Sequence, residues 1–129
     1  MTADDFRALV LAHDGAVEGA HMGHPDFRAN GRIFASLHSQ DRFGMVKLDP
    51  AEQQVLLRDH PESFTPSPGA WGRQGSTNVI LATAHTPAVR GAIRLAFEAA
   101  MARPPAAARK TPVAAGPGSR RGPRIAKKR

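Results

Sequence analysis

Apolar residues recur at helical spacing over the first dozen positions, alternate between 26 and 48, and return to helical spacing after 86. The first stretch predicts a helix starting at Thr2, whose hydroxyl can hold free N–H groups while Asp4 and Asp5 complement the helix dipole. Phe6, Leu9 and Val10 form its buried stripe, and Asp14-Gly15 ends it. The segment DFRANGRIFASLH (26–38) predicts two strands joined at Asn30-Gly31, both of which accept positive φ. A polar turn at Ser39–Asp41 leads to a third strand, RFGMVKL (42–48). Asp49-Pro50-Ala51-Glu52 opens a second helix with a cap, a proline at the first helical position and a capping-box glutamate. Val55 and Leu56 give that helix a narrow apolar side, and His60-Pro61 closes it. Residues 61–76 carry three Pro and three Gly around Trp71 and read as a long loop. TNVILA (77–82) is a last strand, and Thr86-Pro87 starts a third helix whose Val89, Ile93, Phe97 and Met101 recur every four residues. The order predicts an α+β domain: an antiparallel sheet with helices packed on one face.

Charge divides the chain more sharply than hydropathy does. The net +7 is not spread evenly: residues 1–103 hold ten Lys+Arg and all eleven Asp+Glu, whereas 104–129 hold eight Lys+Arg and no acid. A domain over 1–103 is therefore near neutral and is followed by a basic segment over 104–129, rich in Ala, Pro and Gly and expected to be disordered. The cations of that segment are Arg109, Lys110, Arg120, Arg121, Arg124, Lys127, Lys128 and Arg129, candidates for phosphate contacts. With no cysteine, disulfides, thiolate nucleophiles and Cys-based metal sites are excluded. The acidic start and the lack of a long apolar run predict a soluble, cytoplasmic protein with neither export signal nor membrane span.

Candidate chemistry lies on the sheet. With Phe27, Ile33, Ala35, Leu37, Val46 and Leu48 turned to the helices, regular alternation puts Arg28, Arg32, Phe34, Ser36, His38, Phe43, Met45 and Lys47 on the opposite face. Cations mixed with aromatics suit single-stranded nucleic acid, although a face of this kind more commonly meets a covering loop or a second copy of the chain, and a small-molecule pocket is a third reading. Phe34, Phe43 and Lys47, with Trp71 and Arg73 brought near by the loop, are the candidate contact residues of the domain. Arg73-Gln74 between glycines could grip an anion, but a plain surface turn is the commoner use of such a sequence. His21 and His24, three apart with only Asp26 nearby, lack the third ligand a zinc site wants. Phosphate-loop and dinucleotide motifs are missing, as is a nucleophile–base arrangement, so neither cofactor nor catalytic set is expected.

The segments HMGHPDFRANGRIFASL (21–37), GMVKL (44–48) and PGAWGRQGSTNV (68–79), with the helix at 87–101, resemble the MmcQ/YjbR family of small bacterial proteins over about residues 2–102. The resemblance implies a two-layer fold with an antiparallel sheet flanked by helices, related to the CyaY-like and secretion-chaperone-like architectures. It also implies a tilt toward DNA, with no catalytic residues to carry over. The combined expectation is a non-enzymatic DNA-binding accessory protein, monomeric or homodimeric. Its basic segment would contact phosphates, and its sheet face or Trp71 loop would add a second contact. The alternatives are a small-ligand-binding or sequestering protein and a protein-interaction module.

Overall fold

The computed structural model describes residues 1–102 apart from 39 and 41, with the side chain of residue 21 also left aside. The predicted basic segment and all its candidate cations lie outside the described residues. Helix α1 (Ala3–Leu11) begins as expected: Thr2 Oγ1 accepts from the Asp5 N–H at 3.0 Å, and the Asp5 carboxylate accepts from the Thr2 N–H at 2.8 Å. The backbone bond from Thr2, followed by its hydroxyl, holds the Asp5 carboxyl below the usual aspartate range. Helix α2 (Pro50–Asp59) starts on the reciprocal pair of Asp49 and Glu52. Helix α4 (Thr86–Ala102) runs along the sheet, and the short α3 (Gly69–Arg73) lies within the segment expected to be a loop.

Six strands form one antiparallel sheet: β1 (Val17–His21), β2 (His24–Ala29), β3 (Arg32–His38), β4 (Phe43–Lys47), β5 (Phe64–Pro66) and β6 (Ser76–Ile80), in the order β1-β2-β3-β4-β6-β5. The expected meander of three strands thus has a fourth member. β1 precedes it, joined to β2 through Met22-Gly23, whose φ angles of 51° and 81° match the 56° and 76° of Asn30-Gly31 in the next hairpin. This mirror-image turn geometry follows the right-handed twist of paired strands.

Two assignments made from regular periodicity need correction. The register of β2 on β3 shifts between Phe27 and Arg28: Phe27 pairs with Ala35 but Arg28 with Ile33, so Phe34 is a bulge residue without a partner. The extra residue turns Phe34 into the core together with Ala35 and sends Ile33 to the opposite face. Phe34 is 1% exposed and meets Phe97 edge-on at 5.5 Å between ring centroids. On α4 the buried stripe is Val89, Ala92, Ile93, Ala96 and Ala100, while Phe97 is half-buried and Met101 is 47% exposed. Strict i+4 steps overshoot a turn by about 40° each, so the row has rotated by about 120° at Met101. Likewise Val55 of α2 is exposed, and Leu56, Leu57 and the fully covered Gln53 face inward.

The core lies between the sheet and the helices α1 and α4, built from Phe6, Val10, Phe27, Phe34, Leu37, Val46, Val79, Val89 and Ile93. Alanines at 92, 96 and 100 keep the buried side of α4 low. No helix of the described residues is long and apolar enough to cross a membrane.

Candidate binding site on the open sheet face

The face turned away from α1 and α4 carries a cavity of about 380 Å³. Strand alternation delivers its floor: Asp26 from β2, Ser36 and His38 from β3, Met45 and Lys47 from β4, Ser76 and Asn78 from β6. The bulge adds Ile33, and Pro25, Pro68 and Trp71 complete walls that are largely apolar. Ser36, His38, Met45 and Lys47 thus occupy the face expected of them. Phe43 shares it one pair along, stacked on His38 at 6.1 Å and 19°, outside the cavity wall. Phe34 does not line the cavity.

Trp71 is set over one end by α3. That helix is held by the buried amide of Gln53, which donates to the carbonyls of Gly72 at 3.0 Å and Ser76 at 3.1 Å. The glycine spacing of the segment follows from two close approaches. A Cβ on Gly72 would lie 1.9 Å from the Ser67 carbonyl oxygen, and one on Gly75, at φ +108°, would lie 2.0 Å from that of Leu48. Trp71 remains 65% exposed, with Lys47 Nζ 5.9 Å from its ring centroid. Arg73, two residues on, projects from another side of the one-turn helix. It lines a separate hollow with Pro50, Gln53 and Gln54 and does not join Trp71 at the cavity.

The polar groups of the cavity are organised. The hydroxyls of Ser67 and Ser76 are 2.9 Å apart, and Ser67 donates to Asn78 Oδ1 at 2.9 Å. Asn78 also hydrogen-bonds His38, but burial, aided by the charge of His24, outweighs this and holds the His38 pKa below the ordinary histidine value. The neutral imidazole is thereby the favoured form in the cavity. The buried Asp26 carboxylate is clamped by Arg28 at 2.9 and 3.1 Å, which leaves no bare negative charge in the floor. Next to the cavity, sharing Ile33 and Lys47 with it, runs a groove of about 790 Å³ bordered by Arg28 and Arg32, by Asp49 and Glu52, and by the end of α4 at Ala96, Ala99 and Ala100. Among the described residues no group of three or more His, Asp or Glu side chains is placed to hold a metal ion. His21 and His24 are paired backbone positions flanking the first hairpin turn.

Ser67, Ser76, Asn78 and Gln53 carry no motif in the sequence. Only the Gly-Pro density around Trp71 pointed to their neighbourhood.

A family model described as YjbR matches residues 11–99. The chain belongs to the YjbR family. Among solved structures, this YjbR domain is similar to the crystal structure of Deinococcus radiodurans protein DR2400, of the family-model domain DUF419. The TM-score is 0.62 at 20% sequence identity, over 74% of this chain and 75% of that one. At that identity the likeness is one of fold. No curated protein matches the chain by sequence.

Proposed function

We propose that this YjbR protein is a non-catalytic accessory protein that binds single-stranded nucleic acid, seating one unstacked base against Trp71 in the sheet-face cavity. The observation that carries this reading is the continuity of two unlike surfaces. An apolar cavity with an exposed indole shares Ile33 and Lys47 with a groove of mixed charge, bordered by Arg28 and Arg32 and by Asp49 and Glu52. A flat base beside a charged phosphate needs a stacking platform with a cation next to it, and Lys47, common to both surfaces, lies 5.9 Å from the indole ring. The neutral His38 and the Asn78 amide supply hydrogen-bonding groups for a base edge, and the eight cations of residues 104–129 would add phosphate contacts that carry no sequence preference.

Trp71 is the only tryptophan of the chain, so its emission reports the face and not the basic segment. Titration with a short single-stranded oligonucleotide should quench it, with duplex of the same length doing so far less. Trp71→Ala should weaken single-strand affinity by about 5- to 150-fold, the equivalent of ~1–3 kcal/mol per stacked base. Binding of oligonucleotide with no change in Trp71 emission would assign the contact to the C-terminal segment and overturn the role of the face.

The predominantly apolar lining of the cavity favours a second reading, a small planar organic ligand held without any polymer. It predicts saturation by a single small molecule with an affinity indifferent to salt, whereas the nucleic-acid reading predicts affinity that falls as salt rises.

A further inference from the structure

The two edges of the sheet are protected very unequally. β5 is three residues long and ends in Pro66, devices that discourage pairing with another chain. β1 has five residues, no lysine, no arginine and no proline, and among the described residues it pairs only with β2. Its valine, Val17, is 59% exposed.

The phase of the β1–β2 ladder decides which backbone groups of β1 remain open. His21 and His24 flank a two-residue turn and form its closing hydrogen-bonded pair, so the pair above it, Ala20 and Pro25, is of the non-bonded kind; Pro25 has no N–H to give. Counting back, Gly19 and Val17 direct their N–H and C=O groups to β2, and Ala20 and Glu18 direct theirs outward. We infer that this edge pairs with β1 of a second copy, antiparallel, about a two-fold axis at Gly19. The axis sets Glu18 opposite Ala20 of the partner subunit and Ala20 opposite Glu18 of the partner subunit, each pair exchanging both backbone bonds through the groups that β2 leaves open.

Side chains agree with that arrangement. Gly19 would meet its own counterpart in the close, non-bonded type of pair, where the lack of a side chain removes crowding on the axis. Glu18 faces an alanine, so no like charges oppose, and its carboxylate is already held by Arg7 at 3.0 Å. The chain's own residues 104–129 are a poor substitute for a second copy. Prolines at 104, 105, 112, 117 and 123 interrupt them and would each remove a ladder donor. Pairing of this kind leaves both sheet-face cavities on one side of a continuous sheet, and it does not depend on what those cavities bind.

The test is sedimentation of the full-length protein over a range of concentrations, with backbone amide exchange read at Glu18 and Ala20. The expected result is a mass that doubles as concentration rises, together with protection of those two amides that rises in step. Ala20→Pro removes one outward donor at a position where the edge tolerates proline, and should give a monomer with an unchanged circular-dichroism spectrum. The exchange measurement on the unmodified chain decides the matter should that variant fail to fold. A monomer at every concentration with both amides unprotected would overturn the inference. So would a monomer whose Glu18 and Ala20 amides are already protected, because the chain itself would then cover the edge, and so would a dimer that survives Ala20→Pro.

Discussion

Replacing Phe34 by alanine separates the bulged register from the regular alternation that the sequence suggests. In a regular register Phe34 would sit on the open face, and its loss would weaken binding with little effect on stability. In the bulged register its ring is 1% exposed and rests edge-on against Phe97 at 5.5 Å, and Phe97 stacks on His13 at 4.8 Å. Truncating a phenylalanine in such a place costs about 3–5 kcal/mol, the lost aromatic pair included. A domain holds ~5–15 kcal/mol in all, so the change removes a large part of the total. At about 4–8 °C for each kcal/mol in a domain of this size, Tm should fall by roughly 12–40 °C. Thermal and urea unfolding followed by circular dichroism measure it, with oligonucleotide titration of Trp71 emission at a temperature where the variant is folded. Affinity there should stay close to that of the unmodified protein. A Tm within a few degrees of it, joined to weaker binding, would refute the bulged register.

Gln53→Ala strips two donors from the carbonyls of Gly72 and Ser76 and should cost about 1–3 kcal/mol while shifting Trp71 emission, because α3 loses its tie to α2. An unchanged emission spectrum would contradict that tie. His38 has a pKa lowered from 6.5 by burial, then by His24, so the unfolded chain takes up its proton first as pH falls. Stability present above about pH 6.5 should therefore be lost as pH drops through the folded value, and the loss should be smaller in His38→Asn. Identical pH slopes for the two proteins would remove His38 from the account. Deleting residues 104–129 removes eight cations and should flatten the plot of log affinity for duplex DNA against log salt, by about four to five units of slope if four to six phosphates are neutralised by that segment. No change in slope would leave the segment without a role in binding.

Local rules read the helix starts and the second hairpin correctly because each rests on a few neighbouring residues. Thr2 with Asp5 and Asp49 with Glu52 are self-contained hydrogen-bonded pairs, and Asn30-Gly31 needs only its own positive φ angles. Four of the open-face residues, Ser36, His38, Met45 and Lys47, followed from alternation because they lie beyond the bulge, where β3 and β4 pair without interruption. Phe34 and Ile33 were exchanged between faces because a one-residue bulge leaves no trace in composition. β1 escaped notice for a different reason: an edge strand with Glu18, Gly19 and Ala20 at its centre has no apolar alternation to detect. The stretch 61–76 hid β5 and α3 because its prolines and glycines, which usually mark irregular backbone, here permit close backbone approaches. Nearness in sequence groups Arg73 with Trp71, and a single helical turn parts them.

The strand order also sets when the cavity can come into being. β1 to β4 are consecutive neighbours, the first two hairpins closed by two-residue turns, so their contacts are local and can form early. β6 reaches β4 only after residues 48–75 have been looped out, and β5 can join the sheet only once β6 is in place. Trp71, Ser67, Ser76 and Asn78 all belong to that late-arriving half. A chain caught with its meander complete and its last strands still free would have most of a sheet and no binding site. In a refolding experiment, recovery of Trp71 quenching by ligand should therefore trail recovery of β-sheet signal, and competence to bind becomes a marker for the final step of folding.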